Sequence, residues 1–256
     1  MCSVIILRRP GHDWPLLFAA NRDEMRDRPW LPPARHWPDR PQVVAGLDQL
    51  AGGSWLGLND HGLIAGVMNR TSSLGPSPGK RSRGELVLEA LDHADAIPAA
   101  EALAAIEPAA YRPFNLVLVD NRDAFWLRNT GERIDVQPLP EGLSMVTAHD
   151  CNDGVNSRRI GHYLPLFEAA APPDPGGDDW RAWESLMASV DFSAGGSVHD
   201  AMTIVGENGF ETLSSALIAL PAPGLERPPI WRFAAGRPDR NSYELVEGIH
   251  LKGLIH

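Results

Sequence analysis

The chain has 256 residues, a formal net charge of −10 and 43% hydrophobic residues. This size allows one large domain or two small ones, and the apolar content supports a real core. The sequence has no evident repeat or domain boundary, so a single domain over residues 1–256 is expected. The acidic balance argues against nucleic-acid and anionic-membrane binders. The cysteines, Cys2 and Cys151, are typical of a reducing compartment rather than a disulfide scaffold. Without a signal-peptide pattern or an apolar stretch of about 18 residues, a cytoplasmic protein with no membrane span is expected.

The first two dozen residues predict a β-hairpin. Residues 1–7 form a short apolar, β-branched run, and residues 16–20 form a second one after a turn rich in Gly and Pro at 11–15. The second run ends in four polar residues at 21–24. A hairpin brings the end of its second strand beside the start of its first, so we expect residues 21–24 to lie near Cys2.

Cys2 is a candidate nucleophile. If Met1 is removed, Cys2 carries an α-amine with a pKa of about 8 and a thiol with a pKa of about 8.5, so each can act near neutral pH. We expect the cation of Arg22 to lower the thiol pKa further, and Asp23 or Glu24 to orient the ammonium group. The alternative is that Cys2 is a small buried hydrophobic residue.

The segment 25–40 is rich in proline, arginine and tryptophan. Its prolines argue against a helix or a central strand, so we expect an irregular segment. Arg28 and Trp30 could recognise an anionic group beside an apolar body. The alternative is a solvated loop in which arginine stacks on tryptophan.

Consecutive antiparallel strands are predicted over residues 42–70, with a hairpin turn at 59–62. Asn69 stands at the end of the last strand, where its amide could donate to an oxyanion or simply close a turn. Residues 71–83 form a basic loop that is interpreted as a lid or a surface loop.

The remaining pattern predicts helices grouped between runs of strands. Such grouping favours an α+β layered architecture, in which two sheets face each other with helices outside. The spacing of His149 and Cys151 matches no zinc pattern, so no metal site is expected. The helices are predicted at 84–91, 99–106, 158–170 and 180–190, and the strands at 114–120, 124–129, 133–136, 142–147, 201–205, 213–220, 229–233 and 243–246, with a turn at 207–209.

Several of these segments together resemble the NRDE family, also called the transport-and-Golgi-organisation family. The likeness covers about the first half of the chain in matching order, and the second half matches mainly in its strand pattern. The residues that carry it are Met1-Cys2, 17–24 (LFAANRDE), Arg28-Pro29, 46–48 (GLD), 53–57 (GSWLG), Asn69, 83–87 (RGELV) and 114–116 (FNL).

The resemblance implies a four-layer αββα sandwich of the N-terminal nucleophile hydrolase type. Choloylglycine hydrolase and penicillin acylase relatives of this type cleave non-peptide amides with an N-terminal cysteine. The likeness implies Cys2 as nucleophile and base, Asp23 as the partner of its amine, and Asn69 as an oxyanion donor. Departures from the hydrolases are Ala20 in place of an arginine, although Arg22 is near, no asparagine at 147–148, and no clear late arginine around 199–200.

Two functions follow from the resemblance. The first is cleavage of a small-molecule amide at a site built on Cys2, Arg22, Asp23 and Asn69, with no cofactor required. The alternative is a non-enzymatic protein that binds and transports haem or another hydrophobic ligand, and a plain scaffold ranks third. The candidate ligand-binding residues are Asn21, Glu24, Arg28, Trp30 and Trp55.

Overall fold

Two antiparallel sheets form the centre of the computed structural model, which describes residues 2–206 and 208–251. In chain order, the elements are β1 (Ser3–Arg8), β2 (Leu16–Met25), β3 (Trp30–Ala34), β4 (Val43–Asp48), β5 (Leu56–Asn59), β6 (Ile64–Asn69), α1 (Gly84–Leu91), α2 (Ala96–Ala104), β7 (Phe114–Val119), β8 (Ala124–Asn129), β9 (Ile134–Pro138), β10 (Gly142–Val146), α3 (Arg158–Ala169), α4 (Arg181–Met187), β11 (Phe210–Leu220), β12 (Ile230–Ala234) and β13 (Glu244–Leu245). Sheet A has the strand order β10-β1-β2-β11-β12-β13, and sheet B runs from β3 to β9 in chain order.

The predicted N-terminal hairpin is present as β1 and β2. Ser3 pairs with Asn21 and Arg8 with Leu16, and Gly11 has a φ of 85° in the connecting turn, a conformation that glycine adopts without strain. β2 also pairs with β11 along its other edge. The polar end of β2 therefore lies inside sheet A, next to the start of β1.

Three apolar clusters separate four layers. Phe18 and Val117 belong to the cluster between the two sheets. Leu86 of α1 belongs to the cluster on the outer face of sheet B, while Ile160 of α3 and Trp183 of α4 belong to the one on the outer face of sheet A. The predicted αββα sandwich is therefore confirmed.

The helices are short and pack against the outer faces of the two sheets. They range from 7 residues in α4 to 12 residues in α3, and among the described residues none is both long and apolar enough to traverse a bilayer. Two of them differ in extent from the prediction, because α2 begins three residues earlier than 99 and α4 ends before 190.

Two predictions of local structure are wrong. The segment 25–40 contains β3, because prolines are tolerated on an edge strand and β3 is the edge of sheet B. Residues 201–205 do not form a strand, because β2 and β12 already occupy both edges of β11. Within this segment, Ile204 contacts β11 through two hydrogen bonds with Thr212. Its carbonyl oxygen accepts from the backbone N–H of Thr212, and its own N–H donates to the Thr212 hydroxyl. The predicted turn at 207–209 begins at Glu207, which lies outside the described residues.

Candidate active site

A cleft of about 340 Å³ opens beside the start of β1. Most of the residues proposed from sequence lie on its walls, although they come from several different strands and loops. The candidates that line it are Cys2, Arg22, Asp23, Glu24, Arg28, Trp55 and Asn69.

Cys2 lies immediately before β1 and is partly buried. Its Sγ is 4.0 Å from the carbonyl oxygen of Asp23, a long thiol contact across the hairpin. Burial raises the pKa of the Cys2 thiol above its ordinary value, and this outweighs the lowering effect of Arg22. Arg22 lowers the thiol pKa as predicted, but the net shift is upward, so the resting thiol needs a base. Met1, whose removal the nucleophile hypothesis requires, lies outside the described residues.

Asp23 belongs to a buried polar cluster behind the cleft. Its side chain is 0% exposed and that of Arg159 is 3% exposed. Nη1 of Arg159 lies 3.0 Å from Oδ2 of Asp23 and also donates to the hydroxyl of Ser3 at 2.6 Å, while Thr212 donates to Oδ1 of Asp23 at 2.7 Å. This cluster fixes the carboxylate beside the first residues of the chain and joins β1, β2, α3 and β11.

Arg22 points to the opposite face of β2, into the cleft. Its guanidinium carbon lies 4.1 Å from the ring centroid of Trp55 and 5.9 Å from that of Trp30. Arg22 is only 5% exposed, yet its Nη1 has no hydrogen-bond partner in the described part of the chain. Stacking satisfies the face of a guanidinium group but not the N–H groups at its edge, so these remain available for a ligand.

The other candidates differ in their surroundings. Asn69 ends β6 on the cleft wall. Arg28 pairs with Asp48 at 2.6 Å and lies 3.8 Å from Glu24.

Asn21 points away from the cleft, toward the helices, where its amide donates to the backbone carbonyls of Met187 and Met202. Trp30 supports the cleft wall from behind, packing edge-on against Trp55 at 5.7 Å.

Few described residues are suited to hold a metal or cofactor. Across residues 2–206 and 208–251, no group of three or more His, Cys, Asp and Glu side chains is arranged to bind a metal ion. Within the cleft, Cys2 is the side chain that could ligate a haem iron, and Arg22 with Trp55 could contact its periphery.

We expect Gly46→Ala to weaken the site without touching it directly. A Cβ at residue 46 would lie 2.3 Å from the ring of Trp55, so the ring that stacks on Arg22 must move. Overpacking of this kind destabilises by about 1–3 kcal/mol. Urea unfolding measures the loss, and Gly11→Ala, whose added Cβ meets nothing within 4 Å, is the comparison for a purely conformational penalty. A loss below about 0.5 kcal/mol for Gly46→Ala would contradict the expected clash with the ring of Trp55.

The family of the chain follows from its first 159 residues. A family model described as Transport and Golgi organisation 2 matches residues 1–159, more than half of the chain. The chain belongs to the Transport and Golgi organisation 2 family. The resemblance to the NRDE family is thereby confirmed. The matched segment contains Cys2, Asp23 and Asn69, and it ends at Arg159.

This member of the Transport and Golgi organisation 2 family is similar in fold to solved amidases. The Caenorhabditis elegans N-acylethanolamine-hydrolyzing acid amidase ortholog matches with a TM-score of 0.62 at 13% identity, over 96% of this chain and 100% of that one. A mutant of the conjugated bile acid hydrolase from Clostridium perfringens matches with a TM-score of 0.51 at 12% identity, over 100% and 99% of the two chains. No curated protein matches the sequence. At these identities the likeness shows the fold, which is that of the N-terminal nucleophile hydrolases.

Proposed function

We propose that this protein is a cysteine N-terminal nucleophile amidase that cleaves a small non-peptide amide without a cofactor. The observation that carries the proposal is the position of Cys2. Its thiol lines the cleft at the start of β1 and lies 4.0 Å from the backbone carbonyl oxygen of Asp23, whose side chain is buried. When Cys2 is the first residue, its own α-amine can act as the base for its thiol, so the residue needs only to face the substrate cleft.

The reaction has two stages once Met1 has been removed. Sγ of Cys2 attacks the amide carbon while the thiol proton passes to the α-amine of the same residue. A C–S bond forms, the C–N bond breaks, and the departing nitrogen takes the proton from the α-ammonium group. Water then attacks the thioester with the amine as base, which releases a carboxylic acid and restores the thiol.

Two neighbouring residues have roles in this mechanism. Asn69, on the cleft wall at the end of β6, donates its amide N–H to the oxyanion that develops on the carbonyl oxygen. Asp23 is a positioning residue, because its buried carboxylate holds the α-ammonium group in the orientation that proton transfer needs. The raised pKa of the thiol fits this scheme, because a neutral thiol with its own base requires no preformed thiolate.

The test combines intact mass with amine release. We expect the purified protein to have lost the mass of one methionine, and to release primary amine from N-dodecanoylglycine or N-dodecanoylethanolamine. A short incubation before acid quenching traps the dodecanoyl thioester, which peptide mapping assigns to Cys2. Retained Met1, or a processed chain that forms no acyl adduct and releases no amine, would overturn the proposal.

A second candidate is a carrier for haem or another hydrophobic anion. The observation that favours it is the stack of Arg22 on Trp55 at 4.1 Å in the cleft that Cys2 also lines, because an aromatic and cationic wall suits the binding of an apolar anion. Haem titration followed by absorbance tests it. A carrier retains haem binding when Met1 is kept, and a Soret band unchanged by added protein would exclude it.

A further inference from the structure

The charge of the cleft is opposite to that of the whole chain. Six cationic side chains line it against three carboxylates, in a protein whose net charge is −10. Some of these cations are neutralised locally, since Arg28 pairs with Asp48 at 2.6 Å and Arg81 with Glu85 at 2.6 Å. The remaining charge is therefore concentrated on a few groups.

Three guanidinium groups of the cleft form no ion pair with any described residue. These are Arg22, Arg83 and Arg112. Arg22 is the most deeply placed of them, 5% exposed, with an Nη1 that meets no acceptor among residues 2–206 and 208–251. An unpaired buried cation is costly unless a ligand supplies the missing charge.

Arg83 lies immediately before α1 and meets only neutral acceptors. Its Nη1 donates to the carbonyl oxygens of Ser73 at 2.8 Å and Pro113 at 3.0 Å. Its other nitrogens have no hydrogen bond within the described chain. Burial, together with repulsion from Arg112, lowers the pKa of Arg83 to about 10, so the group stays charged at neutral pH while lying close to a second cation.

Arg112 holds the basic loop in place instead of pairing with a carboxylate. Its Nη2 donates to the carbonyl oxygen of Ser72 at 2.9 Å, and its Nη1 donates to those of Leu74 and Gly75. Arg112 lies two residues before β7. Its hydrogen bonds therefore tie the basic loop of residues 71–83, predicted as a lid or a surface loop, to the start of that strand. This arrangement sets the cleft wall and keeps Arg112 next to Arg83.

We propose that Arg22, Arg83 and Arg112 form a subsite for an anionic group, a carboxylate or a phosphate, of the bound molecule. The inference rests on the proposed amidase function only in naming the bond that is cleaved. If the protein is an amidase, its substrate is an N-acyl amino acid or an N-acyl aminoalkyl phosphate. The apolar part of the ligand lies along Trp55 and Val67. Forked guanidinium donors suit both anions and distinguish them from neutral amides of equal size.

Binding is measured separately from chemistry. Calorimetric titration of Cys2→Ala, which cannot form the acyl enzyme, compares N-dodecanoylglycine with its neutral amide, N-dodecanoylglycinamide. A second pair compares N-dodecanoyl phosphoethanolamine with N-dodecanoylethanolamine and tells whether phosphate is preferred to carboxylate. We expect each anion to bind at least about tenfold more tightly than its neutral partner, with the ratio shrinking when salt rises from about 0.05 M to about 0.5 M.

The variants locate the effect. Adding Arg83→Gln should reduce the anion preference at least threefold, roughly the loss of one charge-assisted contact, and Arg83→Lys should restore part of it. Arg133→Gln, which removes an exposed guanidinium on the β8–β9 hairpin, should leave the preference unchanged. If Arg83→Gln unfolds, Arg22→Gln, a substitution at another member of the subsite, replaces it.

The outcomes separate the inference from the function. Equal affinity of Cys2→Ala for the charged and neutral members of both pairs overturns the anion subsite, whether or not the wild-type chain releases amine. An anion preference in Cys2→Ala without amine release by the processed wild-type chain supports the subsite and contradicts the amidase.

Discussion

Replacing Arg159 with methionine is expected to lower the free energy of unfolding by about 3–5 kcal/mol. The change keeps an unbranched side chain of similar length but leaves the carboxylate of Asp23, 0% exposed, without the cation that lies 3.0 Å away. It also removes a donor to the hydroxyl of Ser3. Urea unfolding followed by circular dichroism gives the loss directly.

The adjacent residue provides a matched control. Arg158 precedes Arg159 in α3 but is exposed, so Arg158→Met makes the same chemical change at the surface and should cost within about 0.5 kcal/mol. Losses of similar size for the two variants would mean that the buried pair with Asp23 has no special weight. In that case α3 would be sensitive to any loss of arginine.

Cys2→Ala is expected to abolish amide hydrolysis, lowering kcat by a factor of about 10³ or more while the fold is retained. The change removes only the sulfur of a partly buried residue at the start of β1. Amine release from N-dodecanoylglycine measures it, and the melting temperature shows whether the protein is intact.

Cys151 is the matched control for this loss. Burial raises the pKa of its thiol to about 11, so little thiolate exists at neutral pH and Cys151→Ala should change kcat less than twofold. Residual activity in Cys2→Ala above a tenth of the wild-type value would show that another group performs the attack.

The parts of the site that depend on short-range order could be predicted from sequence. The turn at 11–15 and the two apolar runs beside it dictate the hairpin, and the hairpin places Cys2 within reach of Asp23. The layered arrangement of two sheets with helices outside follows similarly from alternating runs of strands and helices. Only one edge strand and one strand-like apolar segment were mistaken, and both errors concern which sheet edges are already occupied.

The partners of Asp23 could not be predicted, because they come from distant parts of the chain. Arg159 is 136 residues away and Thr212 is 189 residues away. Neither residue belongs to a local pattern, since Arg159 appears as one of two arginines opening a helix and Thr212 as a polar residue near a strand. The cationic wall was missed for a related reason: a loop rich in Lys and Arg is usually solvated, and nothing in its sequence shows that Arg112 ties it down.

The position of β11 has a consequence for shortened forms of the protein. The segment that matches the family model stops at residue 159, whereas β11, at Phe210–Leu220, runs along the full length of β2. A chain cut at that point would leave the backbone N–H and C=O groups of β2 unpaired on a long apolar edge. Such an edge recruits strands from other molecules, so truncated versions should precipitate or form aggregates during expression.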